Sequence, residues 1–333
     1  MTTPPFRVAA LLAAVIFTLA GCQPATLVVG LAPGGTALQA TAIERDGRWA
    51  SPRVVIVDVT GTLANTRTGG LLGGGSNPVD ELAQRLDAAA EDPKVAAVIL
   101  RINSPGGTVT ASDMMYREVK RYHTRTGKPV VALIMDVGAS GGYYLACAAD
   151  EIMAYPTSVT GSIGVILQTL SVRPALDRWG VEARALVSGP NKAGGSPLET
   201  LTTEQQAVLQ GLVDEFYLAF RRVVRDARPG IAADRFDTVT DGRVFTGTQA
   251  HAQGLVDQLG DIRDAFTRAK QLADLDHADL FIYHGPLSSP ATPYARRDNP
   301  NVQISLLNVG DLLPSATLNG PCYLWQPGIR ADD

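Results

Sequence analysis

The sequence has 333 residues, of which 45% are hydrophobic and 19% charged, with a formal net charge of −4. This composition supports a sizeable core and excludes global disorder. The bland charge balance lacks the basic face that nucleic-acid binding needs, and no run of like charges marks an interaction tail. In chain order, residues 1–21 come first, with one basic side chain, Arg7, ahead of the apolar run Val8–Ala20. A bilayer span takes about 20 apolar residues, so this shorter run reads as the hydrophobic part of an export signal.

The run ends in Leu19-Ala20-Gly21-Cys22. This resembles the lipobox of bacterial lipoproteins, in which the cysteine is lipidated and becomes the mature N-terminus. The competing reading is an ordinary export signal with a chance cysteine. Residues 22–50 show no clear periodicity and read as a tether with room for one short strand. If Cys22 is acylated, Cys147 and Cys322 remain; Cys147 lies in an apolar helical stretch that suits a buried free thiol. Two distant cysteines and four scattered histidines do not make a metal site, and neither metal nor cofactor is expected.

From Arg53 onward strands and helices alternate. Val54–Val59 is a continuous β-branched run, as in a parallel strand buried on both faces. Gly69–Ser76 is Gly-rich without the Lys-Ser/Thr ending of a phosphate loop, and reads as a flexible loop. Asn77-Pro78 then caps a helix whose face is Leu82, Leu86 and Ala89–Ala90. The expected elements continue with a strand over Val95–Ile102, a helix over Ala111–Thr124, a strand over Val130–Met135 and a helix over Ser140–Ala149. Further strands are expected at Ile152–Ala154 and Ala183–Val187. Thr202 and Gln205 form a capping box for a helix to Arg225, with Leu209, Leu212, Val213, Phe216, Phe220 and Val223 on one face. A helix over Ile262–Leu272 and a strand over Leu280–Tyr283 close the regular part. The repeated alternation predicts an α/β layered domain over residues 51–285. Residues 286–333 read as an extended tail, in which Tyr323, Leu324 and Trp325 are apolar enough to dock on the body or on a neighbour.

Two strand ends carry unusual residues. The first reads Asn103-Ser104-Pro105-Gly106-Gly107, where adjacent glycines permit backbone shapes closed to other residues and leave N–H groups unshielded. By itself it is a turn; in front of a helix it can also receive a developing oxyanion. The second reads Gly138-Ala139-Ser140-Gly141-Gly142-Tyr143-Tyr144. A serine at a strand-to-helix junction follows the logic of a nucleophile elbow, although a helix N-cap accounts for Ser140 equally well. None of His123, His251, His277 and His284 sits in a marked context. Lys192, in a loop of small residues, is the other candidate base, provided that burial favours its neutral form. The plain reading of a loop lysine is a solvated charge.

These motifs, together with Thr160-Gly161-Ser162-Ile163-Gly164-Val165, Ser188…Lys192…Ser196-Pro197 and Gly242-Arg243-Val244-Phe245-Thr246-Gly247, resemble in content and order the signal peptide peptidase A family of bacterial membrane proteases. The resemblance covers residues 53–284. The separation of Ser140 and Lys192, 52 residues, resembles that of the short single-domain members. It implies a caseinolytic-protease or crotonase-like fold of repeated β-β-α units and a Ser–Lys serine endopeptidase acting through an acyl-enzyme. Ser140 would be the nucleophile and Lys192 the general base, with Ser162 orienting the lysine amine. The Gly107 and Gly141 N–H groups would form the oxyanion hole. It further implies apolar peptide substrates, above all remnant signal peptides, and a homo-oligomeric ring, an octamer, in which Ser and Lys come from neighbouring subunits.

One departure concerns the anchor. The family is commonly held by a transmembrane helix, whereas Cys22 implies an exported, membrane-anchored lipoprotein facing the periplasm or the cell exterior. Gln23 is not the Asp associated with inner-membrane retention in enterobacteria. Two other classes compete: a crotonase-like acyl-CoA enzyme, opposed by Lys192 and by export away from CoA, and a catalytically silent membrane scaffold, opposed by unbroken motifs.

Overall fold

A computed structural model describes residues 38–46, 50–66, 77–285, 290–295 and 321–325. Cys22, the expected lipidation site, the expected export signal, the Gly-rich stretch 69–76 and most of the tail lie outside them. The elements run β1 (Gln39–Glu44), β2 (Arg53–Thr60), α1 (Pro78–Glu91), β3 (Val95–Ser104), β4 (Gly106–Thr108), α2 (Val109–Thr126), β5 (Val130–Ala139), α3 (Gly141–Ala146), β6 (Glu151–Ala154) and β7 (Val159–Gly161). After these come α4 (Arg173–Arg178), α5 (Thr203–Ala227), α6 (Ala233–Val239), β8 (Val244–Thr246), α7 (Gly247–Ala252), β9 (Gln258–Leu259), α8 (Ile262–Leu272), β10 (Asp279–His284) and β11 (Cys322–Leu324).

The β-branched runs form the centre of one sheet, in the order β1-β10-β2-β3-β5-β6-β9, with β7 attached to β5 and β8 to β7. Pairing is parallel except for β1 on β10 and β8 on β7. Alternate side chains of a strand point to opposite faces, and both faces here are covered. Val55, Val57 and Val59 join Leu82, Met115, Tyr143 and Phe220 on one face, while Val54 and Ile56 join Ile262, Ala265 and Phe266 of α8 on the other. Each fully buried Val or Ile contributes about 1.5–3 kcal/mol relative to exposure. The architecture is therefore α/β, as the alternation predicts.

Local signals place the helices. Asn77 accepts from the Val79 and Asp80 amides at 3.0 and 3.4 Å, and Thr202 and Gln205 close their capping box over α5. Two segments expected outside the domain pair with it. β1 lies within the expected tether and pairs with β10, and β11 lies within the expected tail and pairs with β4. Buried Arg101 gathers residues 293–295 as well, donating to Asp58 and to the Ala295 carbonyl, each at 2.8 Å.

The strand expected at Ala183–Val187 does not form. Its apolar residues find no pairing partner among the described residues, and Leu186 is 95% exposed. Cys147 and Cys322 are both buried. Among the described residues, no helix is long and apolar enough to cross a membrane.

Candidate active site

The site is assembled at the carboxyl ends of β3, β5 and β7. β5 runs four residues past the expected Met135, carried by pairing of Gly138 with Ser104 on one side and of Val137–Ala139 with Val159–Gly161 on the other. The Thr160 hydroxyl fixes this extension by donating to the Gly138 carbonyl at 2.7 Å. Asn103 ties the neighbouring ends together: its side-chain amide donates to Asp136 at 3.0 Å, and its oxygen accepts from the Val137 amide at 3.2 Å.

Ser140 then turns the chain sharply. Its φ is 52° and ψ −117°, a backbone shape that costs a non-glycine residue roughly 1–3 kcal/mol. Ser140 does occupy the N-cap position of α3, but its side chain makes no capping hydrogen bond. Its amide donates to the Gly161 carbonyl at 2.8 Å, which sets Ser140 beside Ser162. Ser162 is also left-handed, with φ 51°, and its amide donates to the Arg243 carbonyl at 2.7 Å. The hydrogen-bond ladder of α3 starts with the Tyr144 amide on the Ser140 carbonyl, so the Gly141, Gly142 and Tyr143 amides have no acceptor within the helix.

The glycines are required by close approach. A Cβ on Gly142 would stand 2.8 Å from the Ser104 carbonyl oxygen, and one on Gly141 would stand 2.3 Å from the Ser112 hydroxyl and 3.1 Å from the Gly107 nitrogen. On Gly107, a Cβ would lie 1.9 Å from the Leu63 carbonyl oxygen. The Gly107 and Gly141 backbones thus converge next to Ser140. Buried Tyr143 and Tyr144 hold α3 in place through the Leu255 carbonyl at 2.7 Å and Asp113 at 3.0 Å. Burial raises both phenol pKa values, so both remain neutral donors at pH 7.

Lys192 is not part of this cluster within one chain. It is exposed, on a run of turns in which its amide donates to the Gly189 carbonyl at 3.1 Å, and no hydrogen bond or ion pair joins it to Ser140. Gln205 steadies that run by donating to the Pro190 carbonyl at 2.7 Å. Between residues 166 and 212 the chain leaves large apolar side chains in the open, among them Leu170 at 70% and Trp179 at 77% exposure.

Residues 123–276 match the model of peptidase family S49. A protein of Enterococcus faecium named for signal peptide peptidase SppA is 31% identical over 234 residues, covering 70% of this chain and 67% of that protein. The chain belongs to peptidase family S49. Within S49, Protease 4 of Salmonella typhi is 38% identical over 204 residues, but the match covers 61% of this chain and only 32% of that larger protein. A solved structure of the membrane-bound stomatin-specific protease 1510-N, a point mutant, is 14% identical and covers 66% of this chain and 86% of its own, with a TM-score of 0.43.

The sequence motifs led to Ser140, Ser162, Gly107 and Gly141 but not to everything around them. Asn103 was visible only as part of its motif, and Ser112 had no signal of its own. The strand β11, which lies against Gly106 and Gly107, was visible only as three apolar residues in a polar tail.

Proposed function

We propose that this S49 chain is an exported serine endopeptidase acting on apolar peptides, remnant signal peptides among them, through a Ser–Lys dyad on a caseinolytic-protease or crotonase-like scaffold. The observation that carries the proposal is the placement of Ser140 on a strained turn, bonded through its amide to Gly161 and flanked by the Gly107 and Gly141 backbones. Strain of this kind is stored where a reactive group must be presented. Ser140 attacks the peptide carbonyl, and the Gly107 and Gly141 amides receive the oxyanion. Lys192 takes the serine proton and returns it to the leaving amine, with the Ser162 hydroxyl orienting the lysine amine.

The base comes from a second copy of the chain. Lys192 is exposed, and between residues 166 and 212 large apolar side chains stay uncovered, which one chain alone leaves in water. A closed ring, an octamer, in which each copy covers this face of the next would bury those residues and deliver Lys192 to a neighbour's Ser140. Cys22 would carry the lipid that holds the assembly at a membrane, facing the periplasm or the cell exterior. The test uses residues 22–333 with an apolar chromogenic peptide. Ser140→Ala and Lys192→Ala should each lower kcat by at least about 10³-fold, and full activity in both variants would overturn the dyad.

A further inference from the structure

The loop that carries Lys192 is gripped by the first turn of α5. Within the loop the Lys192 amide donates to the Gly189 carbonyl, Gly194 to Asn191 and Ser196 to Ala193, at 3.1, 3.2 and 3.0 Å. Bonds of that kind close single turns and do not tie the loop to another element. Two side chains of α5 make that tie. Gln205, 8% exposed, donates from Nε2 to the Pro190 carbonyl at 2.7 Å, two residues before Lys192. Glu204 accepts from the Asn191 side-chain amide at 3.2 Å. The approach is close: a Cβ on Gly194 would stand 3.4 Å from Gln205 Cγ and 3.2 Å from the Asn191 carbonyl oxygen.

The cap of α5 accounts for only half of what Gln205 does. Its side-chain oxygen accepts from the Thr202 amide, and the Thr202 hydroxyl accepts from the Gln205 amide, each at 3.2 Å. Those two bonds complete the capping box without using Nε2. The Nε2 group is a buried donor whose acceptor is loop backbone, and breaking that bond would leave it buried without a partner. Farther along, α5 is fixed to the body. Phe220 is fully buried, and its ring stands 5.1 Å from that of Tyr144, on the helix that follows Ser140. From Gln205 to Phe220 the helix rises about 22 Å. One rigid element thus holds the lysine loop away from the chain's own serine helix, in keeping with a base that serves another copy.

We infer that Gln205 is a positioning residue for the general base: its bond to the Pro190 carbonyl seats the Lys192 loop on α5, and α5 presents the lysine as a rigid arm. The inference rests on the reading of Lys192 as base. Gln205 touches no reacting atom. It acts by holding the Lys192 backbone where the amine reaches a serine hydroxyl. Proton transfer needs hydrogen-bond reach, about 2.6–3.2 Å between heavy atoms, and a misplacement of about 1 Å costs on the order of 10²-fold in rate. Release of Pro190 therefore shows in the chemical step and not in the binding of the peptide.

Variants of the full chain, assayed on an apolar chromogenic peptide, separate the grip on the loop from the cap of the helix. Gln205→Met removes the Nε2 donor and one of the two capping bonds. Thr202→Ala removes the other capping bond and leaves both bonds of the Gln205 side chain in place. Each should lower Tm by a similar ~2–4 °C. Gln205→Met should lower kcat and kcat/KM together by about 10- to 100-fold, whereas Thr202→Ala should keep both within about threefold of wild type. Gln205→Glu, which keeps the acceptor for the Thr202 amide and offers Pro190 a carboxylate in place of a donor, should behave as Gln205→Met does. In a Lys192→Ala background, Gln205→Met should take nothing further from the residual rate, because residues that act through one group are not additive. Either Gln205 variant as active as Thr202→Ala, or a further loss of about tenfold in the Lys192→Ala background, would overturn the positioning role and leave Lys192 as base. Full activity of Lys192→Ala would remove the base and the positioning role with it.

Discussion

Tyr323 faces Gly107 across the β11–β4 pair, and its carbonyl oxygen stands 2.0 Å from where Gly106 would carry a Cβ. The docking of the tail strand therefore depends on a missing side chain. Gly106 also has φ +101°, a shape that strains any other residue by about 1–3 kcal/mol. Gly106→Ala is expected to expel β11 from the groove. Hydrogen exchange in a Ser140→Ala background reads this directly, since the Trp325 amide, bonded to the Pro105 carbonyl, should lose its protection when Gly106→Ala is added. Protection equal to that of Ser140→Ala alone would show that the strand tolerates the methyl group.

Ser140 pairs reactivity with strain. At φ 52° alanine is strained as serine is, whereas glycine is not. Ser140→Gly should therefore be more stable than Ser140→Ala by about 1 kcal/mol, despite the greater freedom of glycine in the unfolded chain. Denaturant titration with equal m-values decides it, and both variants should be inactive on peptide. A Ser140→Gly chain less stable than Ser140→Ala would mean that the surroundings do not impose this turn.

The sequence made the architecture legible where pattern and packing agree. The runs at residues 54–59, 95–102 and 130–135 are buried on both faces, and the Asn77 and Thr202 caps work through their own side chains. It failed where a partner decides the structure. Ala183–Val187 has a strand's composition but no neighbouring strand among the described residues, and Leu209 and Leu212 lie on an apolar helix face that one chain leaves partly open. At the site, the left-handed turns at Ser140 and Ser162 were foreshadowed by adjacent glycines. The pocket formed by Tyr144, Phe216 and Phe220 with Tyr323 was not, because it joins residues more than a hundred positions apart.

Cys147 tests the packing around α3. It is fully enclosed between the sheet and the helices, and burial pushes its thiol pKa up from 9.0 to about 12. The thiolate is the reactive form, so at pH 8 native Cys147 should resist alkylation. Burial raises the Cys322 thiol as well, but that residue sits on β11, which Gly106→Ala is expected to release. Peptide mapping after brief iodoacetamide treatment should find both thiols unmodified in Ser140→Ala. Adding Gly106→Ala should expose Cys322 while Cys147 stays protected. Rapid labelling of Cys147 in either chain would show that α3 opens readily.

The separation of Lys192 from Ser140 within one chain gives the proposed shared site a numerical signature. In a head-to-tail ring each interface combines the serine of one copy with the lysine of the next. Ser140→Ala chains supply only lysines and Lys192→Ala chains only serines, so each homogeneous assembly should be inactive. When equal amounts are unfolded and refolded together, random assembly gives both functional groups at roughly a quarter of the interfaces. Peptidase activity should rise toward that fraction of wild type, and fall again when either variant is in large excess. A dyad contained within one chain predicts no recovery at any ratio, because every chain then carries a broken pair. Sedimentation of the mixture, run alongside, separates that outcome from failure to assemble.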